Sequence, residues 1–431
     1  MAWFSRPAGL RILVVQKLLL TSLVCCAGLA GVVSGQTVRD WTSNSDQRWS
    51  RGANWSGGNV PSSNTEIAQF GTGTQLNPQL NANNYVVRGL RFSAGAAGYD
   101  VGDDNGARTL KIGNGTSGFI ENLSGSDQLI SIATLQFQSN STISTTGTGM
   151  LSISSNLTGN NRNLTFDAAA DINVSGNIAT TGGTLTKQGA GSLNLAGSNT
   201  YTGLTTISAG AIVLQAANVF ANTDRVSVAS GAALSLNNLT DTLGGISGAG
   251  VIDFGSGGTG QLTLGAGVST FSGSFAGTGE LVVGAGASLT LGADFTNSNL
   301  TITLAGGTLN LSGHSLTLGA LHITGNAIID FASGGNSVLS TTSLGFGNTG
   351  IGLTVKNWAD AADYFYSQTG YGQGSAPLNQ VTFTGWTGAD TKWQAYDHQI
   401  TPVPEPRFYG AGLVLLAAGL LLWRRQHRAL A

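Results

Sequence analysis

Few residues in this chain have the type and spacing to do chemistry, and the carboxylates come first. Asp103 and Asp104 are the only adjacent acids, in the run GDDNG from Gly102 to Gly106. Grouped acids cleave sugar bonds as acid and base, and an acid-rich turn can hold calcium. A calcium loop of the EF-hand type would want an acid at Val101 and a glutamate at Ile112. That motif fails, and a solvated turn is expected instead. Asp167 and Asp171 stand four apart, which within one strand would put both on the same face. Arg162 is the only cation near them, which makes a poor active site.

The histidines offer little more. His314 and His322 lie in strand-like runs, His398 near the C-terminal exit and His427 in a basic tail. None has a partner at metal-ligand spacing such as H-x-x-x-H, so each is expected at the surface or in a turn. Cys25 and Cys26 both fall in an apolar N-terminal segment, and neither follows the small residue that a lipoprotein signal needs. A mature chain without them forms no disulfide and binds no metal through thiolate. Serine and threonine are too abundant to single out a nucleophile, and no G-x-S-x-G elbow precedes a helix. Glycine-rich pieces such as GAGVSTFSG lack the strand-to-helix setting of a nucleotide site. No cofactor is expected.

The scaffold that would position such residues is clearest from Thr184 to Gln215, TLTKQGAGSLNLAGSNTYTGLTTISAGAIVLQ. Apolar residues come in alternating pairs, Leu193 with Leu195 and Ile212 with Leu214, and glycines fill the gaps. Period-two alternation broken by glycine predicts short, half-buried strands joined by turns that need positive φ. Strands that short must stack. The stretch resembles the autotransporter-associated β-strand repeat of bacterial surface proteins, in which a K-x-G-x-G-x-L-x-L-x-G-x-N-x-Y-x-G core is matched by Lys187, Gly189, Gly191, Leu193, Leu195, Gly197, Asn199, Tyr201 and Gly203. The resemblance implies a rung or two of a parallel β-helix and brings no reaction with it.

Composition agrees with one long solenoid. Of 431 residues 65 are glycine, 9% are charged and 41% are hydrophobic, with a net charge of −2. Disordered chains combine low hydrophobicity with high net charge, and this chain does neither. An apolar chain in alternating register can bury a long narrow core. Nucleic acid is excluded as a partner, because phosphate binding needs clustered Lys and Arg that the body lacks.

In chain order, residues 1–35 read as a secretory signal, with Arg6, Arg11 and Lys17 ahead of an apolar core from Leu18 to about Val33. An uncleaved anchor is the competing reading. Residues 36–100 carry Trp41, Trp49 and Trp55 and read as an N-terminal cap, since an open β-helix end exposes core and strand edges. A sugar-stacking platform is the functional rival for these tryptophans. The N-terminal segment also looks like one often found ahead of this repeat in exported proteins. Residues 101–330 continue as strand-and-turn units, with coils of roughly 20 to 30 residues. A degenerate second copy of the repeat spans about 260–285, with Gly260, Leu262, Leu264, Phe271, Gly273, Leu281 and Val283 in similar order and Phe271 in the place of Tyr201. Residues 331–401 read as a C-terminal cap.

The last segment, 402–431, begins with the run PVPEP, followed by an apolar run at 408–423 and a basic cluster of Arg424, Arg425 and Arg428. As a helix that run is about 24 Å long, slightly short of a ~30 Å hydrocarbon core but usable with snorkelling arginines. With Pro404, Glu405 and Pro406 in front of it, the tail resembles the PEP-CTERM sorting signal. That resemblance implies a Gram-negative source that makes exopolysaccharide, and an exosortase, a membrane cysteine transpeptidase, that recognises Pro404, Glu405 and Pro406.

The expected fold is all-β, a right-handed parallel β-helix with caps at both ends and one C-terminal transmembrane helix. The expected function is that of a non-enzymatic surface or extracellular-matrix structural protein. Its expected partners are the Sec machinery, signal peptidase, an exosortase, membrane lipid and exopolysaccharide. It would be anchored transiently in the inner membrane and then displayed or released. A polysaccharide-acting β-helix lyase or hydrolase is the alternative, and would show as three or more acids with a cation on one face. A classical autotransporter would need a C-terminal barrel of ~8 or more strands, which the residues after Pro406 are too few to supply.

Overall fold

In the computed structural model the described residues are 36–43, 46–221, 225–386 and 390–402. The chain divides into a short unit, 1–37, and a unit, 38–431, that holds the fold described below. The expected signal segment, the sorting triplet Pro404, Glu405 and Pro406, the apolar run 408–423 and the basic residues Arg424, Arg425 and Arg428 lie outside the described residues. Among the described residues no helix is long and apolar enough to cross a membrane.

The described residues of the 38–431 unit form a parallel β-solenoid of about 14 turns. Its strands are short because glycine and polar turns interrupt the alternation every few residues. Leu164–Ala168 is typical: Leu164, Phe166 and Ala168 point inward and are buried, while Thr165 and Asp167 point outward. A strand of this length is unstable alone and gains its partners only from the coils above and below. Leu164 accordingly lies beside Leu185, Leu185 beside Thr205, and Thr205 beside Val226, all in parallel register. The inward columns form one continuous core, with Leu110, Leu135 and Leu157 stacked at zero exposure.

Each coil in the first half has three faces. A 16-stranded sheet forms the first and a 10-stranded sheet the second. The third face is divided, with a 5-stranded sheet ending at Ile178–Ala179 and a 7-stranded sheet beginning at Thr240–Leu243. The two coils between them have no third strand. Beyond Ser274–Ala276 the second face stops, and the third-face strands Phe295–Ala305 and Ser315–Gly325 lengthen to 11 residues each.

The coils extend into both segments expected as caps. Glu66–Phe70 and Gly89–Phe92 already belong to the first face, and Leu353–Lys356 and Val381–Phe383 still do. Closure comes from aromatic side chains packed at each end. Trp41 and Trp49 meet Trp55 edge-on at 5.0 and 4.7 Å, and the three are at most 2% exposed. With their ring faces buried they supply no sugar-stacking platform. At the other end Trp358 packs against Phe331 and Phe383 at 5.1 and 4.9 Å. An antiparallel hairpin of Thr391–Trp393 with Ile400–Pro402 covers the last strands, bridging Tyr366 to Gln399 and donating from Thr391 Oγ1 to the Val381 carbonyl at 2.8 Å. A covered edge is closed to further strand addition.

Candidate functional site

The conspicuous sequence motif falls on the coils where the third face is interrupted, and its residues have separable structural tasks. Lys187 occupies the inward column of the first face between Phe166 and Ile207, where a hydrophobe would be expected. It is fully buried, and its stem continues the apolar column while Nζ donates to the carbonyls of Gln188, Gly189 and Ala209 at 2.6, 2.8 and 3.2 Å. Burial lowers the amine to about 8, opposed by the carboxylates of Asp167 and Asp171. The lysine therefore closes the corner of the coil from inside.

The motif glycines make room at those corners. Gly189 has φ +71, and a Cβ there would lie 2.4 Å from the Ala168 carbonyl oxygen of the preceding coil. At Gly197 and Gly203 a Cβ would lie 2.3 Å from the carbonyl oxygens of Gly176 and Gly183 respectively. Gly191 is similarly close to Ala170, at 2.9 Å. Leu193 and Leu195 fill the second-face core beside Ile172 and Val174 below and Ile212 and Leu214 above.

Asn199 and Tyr201 stand in the gap itself. Asn199 is 5% exposed and its Oδ1 accepts the Ile178 amide at 2.8 Å, while its own backbone N–H donates to the Val219 carbonyl at 3.0 Å. Its Nδ2 is buried with no partner. Tyr201 is fully buried and its hydroxyl meets Thr205 Oγ1 at 2.7 Å. Two coils on, Asp241 does what Asn199 does: Oδ2 accepts from the Val219 and Phe220 amides at 2.9 and 3.2 Å, and Oδ1 from Thr242 at 2.7 Å. Burial pushes its carboxyl up to about 6 against these three amides. Asp241 is not among the candidate acids that the sequence suggests. Its signal was an acid at an inward position of an alternating strand, two residues before the buried Leu243.

The acids weighed as catalytic candidates do not converge. Asp103 accepts from the amides of Asn105 and Gly106 in its own turn and from Ala133 in the next coil at 2.7 Å, and Asp104 pairs with Arg108 at 2.9 Å. Asp167 and Asp171 are not on one strand face as expected. Asp167 is the next-to-last residue of the first-face strand, and Asp171 follows a bend and precedes the second-face strand Ile172–Val174, accepting the Ser192 amide at 2.8 Å. The four-residue spacing counted as strand, but Ala169 and Ala170 turn the corner. His314 pairs with Asp294 at 3.3 Å, His322 is exposed on a strand and His398 packs edge-on against Trp393 at 5.5 Å. No group of three or more His, Cys, Asp or Glu able to hold a metal occurs among the described residues.

The degenerate copy at 260–285 packs as coils but out of phase with the repeat. Leu262, Leu264, Leu281 and Val283 lie on the third face and Phe271 on the first, whereas Leu193 and Leu195 lie on the second and Tyr201 in the gap. Any inward strand followed by a glycine turn produces that order of residue types, so the order alone does not identify the face.

Outside the second face lies an open concavity of about 310 Å³ lined by Asn173, Val174, Ser175, Asn194, Ala196 and Gln215. Its amides form a ladder across coils: Asn194 Nδ2 donates to Asn173 Oδ1 at 2.7 Å, and Asn173 Nδ2 to Ser152 Oγ at 3.3 Å. The side chains hold one another and carry no charge.

Residues 185–214 match the family model of the passenger-associated transport repeat. No curated protein and no solved structure matches the chain. The repeat and the parallel solenoid together fit an exported, passenger-like surface protein.

Proposed function

We propose that this chain is a non-enzymatic structural protein of the cell surface or extracellular matrix, whose solenoid offers an uncharged, hydroxyl-bearing column to exopolysaccharide. The observation that carries this reading is an outward column on the first face. Thr142 lies beside Thr165, then Thr186, Thr206 and Ser227, and the column continues to Thr290 before its first charges, Asp330 and Lys356. One hydroxyl per coil repeats at roughly 4.8 Å, the spacing of paired strands. Such a row can exchange hydrogen bonds with sugar hydroxyls along a chain, and its lack of charge suits neutral polymers over anionic ones. The alternative, a lyase or hydrolase, draws no support from Asp103, Asp104, Asp171 or Asp241, which are engaged with backbone amides or Arg108.

In this proposal the Sec machinery exports the chain and signal peptidase removes the N-terminal segment. The apolar run 408–423 then sits in lipid with Arg424, Arg425 and Arg428 on the cytoplasmic side. An exosortase recognises Pro404, Glu405 and Pro406, which stand one residue, Val403, beyond Pro402, the end of the covering hairpin. Mass spectrometry of protein recovered from the host's surface and medium tests the sorting step. A mature C-terminus at 404–406 with no peptide from Phe408 onward is expected, and an intact terminus through Arg428 would reduce the tail to a plain anchor. Affinity electrophoresis tests the polymer contact: retardation in gels of neutral exopolysaccharide from the host is expected, and migration unchanged from polymer-free gels would remove it.

A further inference from the structure

We propose that the two coils between Ile178–Ala179 and Thr240–Leu243 are a joint at which the solenoid opens while the blocks on either side stay folded. In a stacked-coil protein, stability is close to a sum of coil terms and nearest-neighbour interface terms, so the weakest interface opens first. The first and second faces run through this region without a break, pairing Lys187 with Ile207 and Leu193 with Ile212. The third face does not.

Isolated backbone bonds still cross the gap, from Asn199 to Val219, Thr200 to Ile178 and Asn218 to Thr240, but two side chains accept amides that carbonyls of the next coil take in a regular ladder. Asn199 takes the Ile178 amide, and Asp241 takes those of Val219 and Phe220. Each substitution weakens the interface. Asn199 leaves Nδ2 buried without a partner, and a buried donor left unmade costs more than a formed bond returns. Asp241 places a carboxyl in the core with only amides to hold it, and desolvation disfavours its charge. Leu204, at the end of the first gap coil, remains 45% exposed. On either side the third face is regular and fully buried, with Leu135 between Leu110 and Leu157 and Leu281 between Leu262 and Ile302.

Hydrogen exchange of the full chain, read by mass spectrometry, tests the joint. The amides of 199–204 and 218–221 should exchange at least about tenfold faster than those of Thr134–Phe137 and Gly260–Leu264, the effect of one buried hydrogen bond. Asp241→Ala should speed exchange by a further factor of about ten, confined to the third-face segments beside the gap. Asn199→Ala should do the same for Ile178 and its neighbours. Gap amides that exchange together with the flanking strands in one event would overturn the proposal, as would variants that loosen every coil equally. If neither variant folds, the pattern of the unaltered chain decides the matter by itself.

Discussion

Asn199 reaches across 21 residues of chain to take the Ile178 amide proton on its Oδ1 at 2.8 Å. A side chain thus stands in for a rung of a β-ladder at the point where the third sheet stops. Asp241 repeats the device two coils later on Val219 and Phe220. A motif without a catalytic group can still be specific, because a solenoid that interrupts one sheet must find new acceptors for the amides that the missing strand leaves behind.

Asn199→Ala should destabilise the chain by about 1–3 kcal/mol, since the buried Ile178 amide then has no acceptor. Asn199→Asp keeps an acceptor and removes the orphaned N–H, so it should lose less at acidic pH, where that carboxyl is neutral. Urea midpoints of the two variants give the comparison. Equal losses would mean that keeping an acceptor for the Ile178 amide contributes nothing.

Lys187 tests the corner. Lys187→Met keeps an unbranched apolar stem but removes the donor to three carbonyls, and should cost about 2–3 kcal/mol. The pH dependence carries a sign. With a folded value of about 8 against an ordinary 10.5, the native state binds fewer protons than the unfolded state between those limits. Stability from this residue should therefore rise with pH across that window, by at most about 3 kcal/mol. Urea titrations at pH 8, 9 and 10 should show the rise in the unaltered protein and not in Lys187→Met.

The solenoid was legible in the sequence because its cause is local. Leu193 and Leu195, or Leu164 and Phe166, show their inward parity in any window of five residues, and the glycines mark the corners. What was hidden depends on comparing coils. Whether a strand belongs to the first, second or third face is set by its count from the previous corner, so Phe271 could be aligned with Tyr201 while lying on another face. Asp167 and Asp171 were misplaced for a related reason, since two alanines at a corner look the same as two alanines in a strand. The joint was invisible because the third strand's absence leaves no unusual residue, only an asparagine and an aspartate whose partners lie one coil away.

Close approach should govern one glycine and turn conformation another. A Cβ on Gly203 would meet the Gly183 carbonyl oxygen at 2.3 Å, so one coil must move against its neighbour. Gly203→Ala should cost about 1–3 kcal/mol, as overpacking does. Gly231 has φ +82 and open space around it, so Gly231→Ala should cost only the backbone term of about 1–2 kcal/mol. Gly203→Ala should also perturb exchange in residues 181–185 of the neighbouring coil, and Gly231→Ala should leave its neighbours undisturbed.

Asp241 should make the chain less stable as pH rises through the mildly acidic range. Its folded value of about 6 lies above the ordinary 3.8, so between these limits the native state holds a proton that the unfolded state has released. Stability contributed by this group is present below pH 4 and is lost as pH climbs past 6, by up to about 3 kcal/mol. Glu66 is shifted the other way, held low by the Ser62 amide and Arg39, so its contribution grows with pH and partly masks the effect. The difference between the unaltered chain and Asp241→Asn isolates it, because the variant keeps an oxygen acceptor and cannot ionise. Urea midpoints at pH 4, 5, 6 and 7 should show the unaltered chain falling steadily relative to the variant. A constant offset across that range would mean that the three amide donors hold the carboxylate charged throughout, and that burial does not govern Asp241.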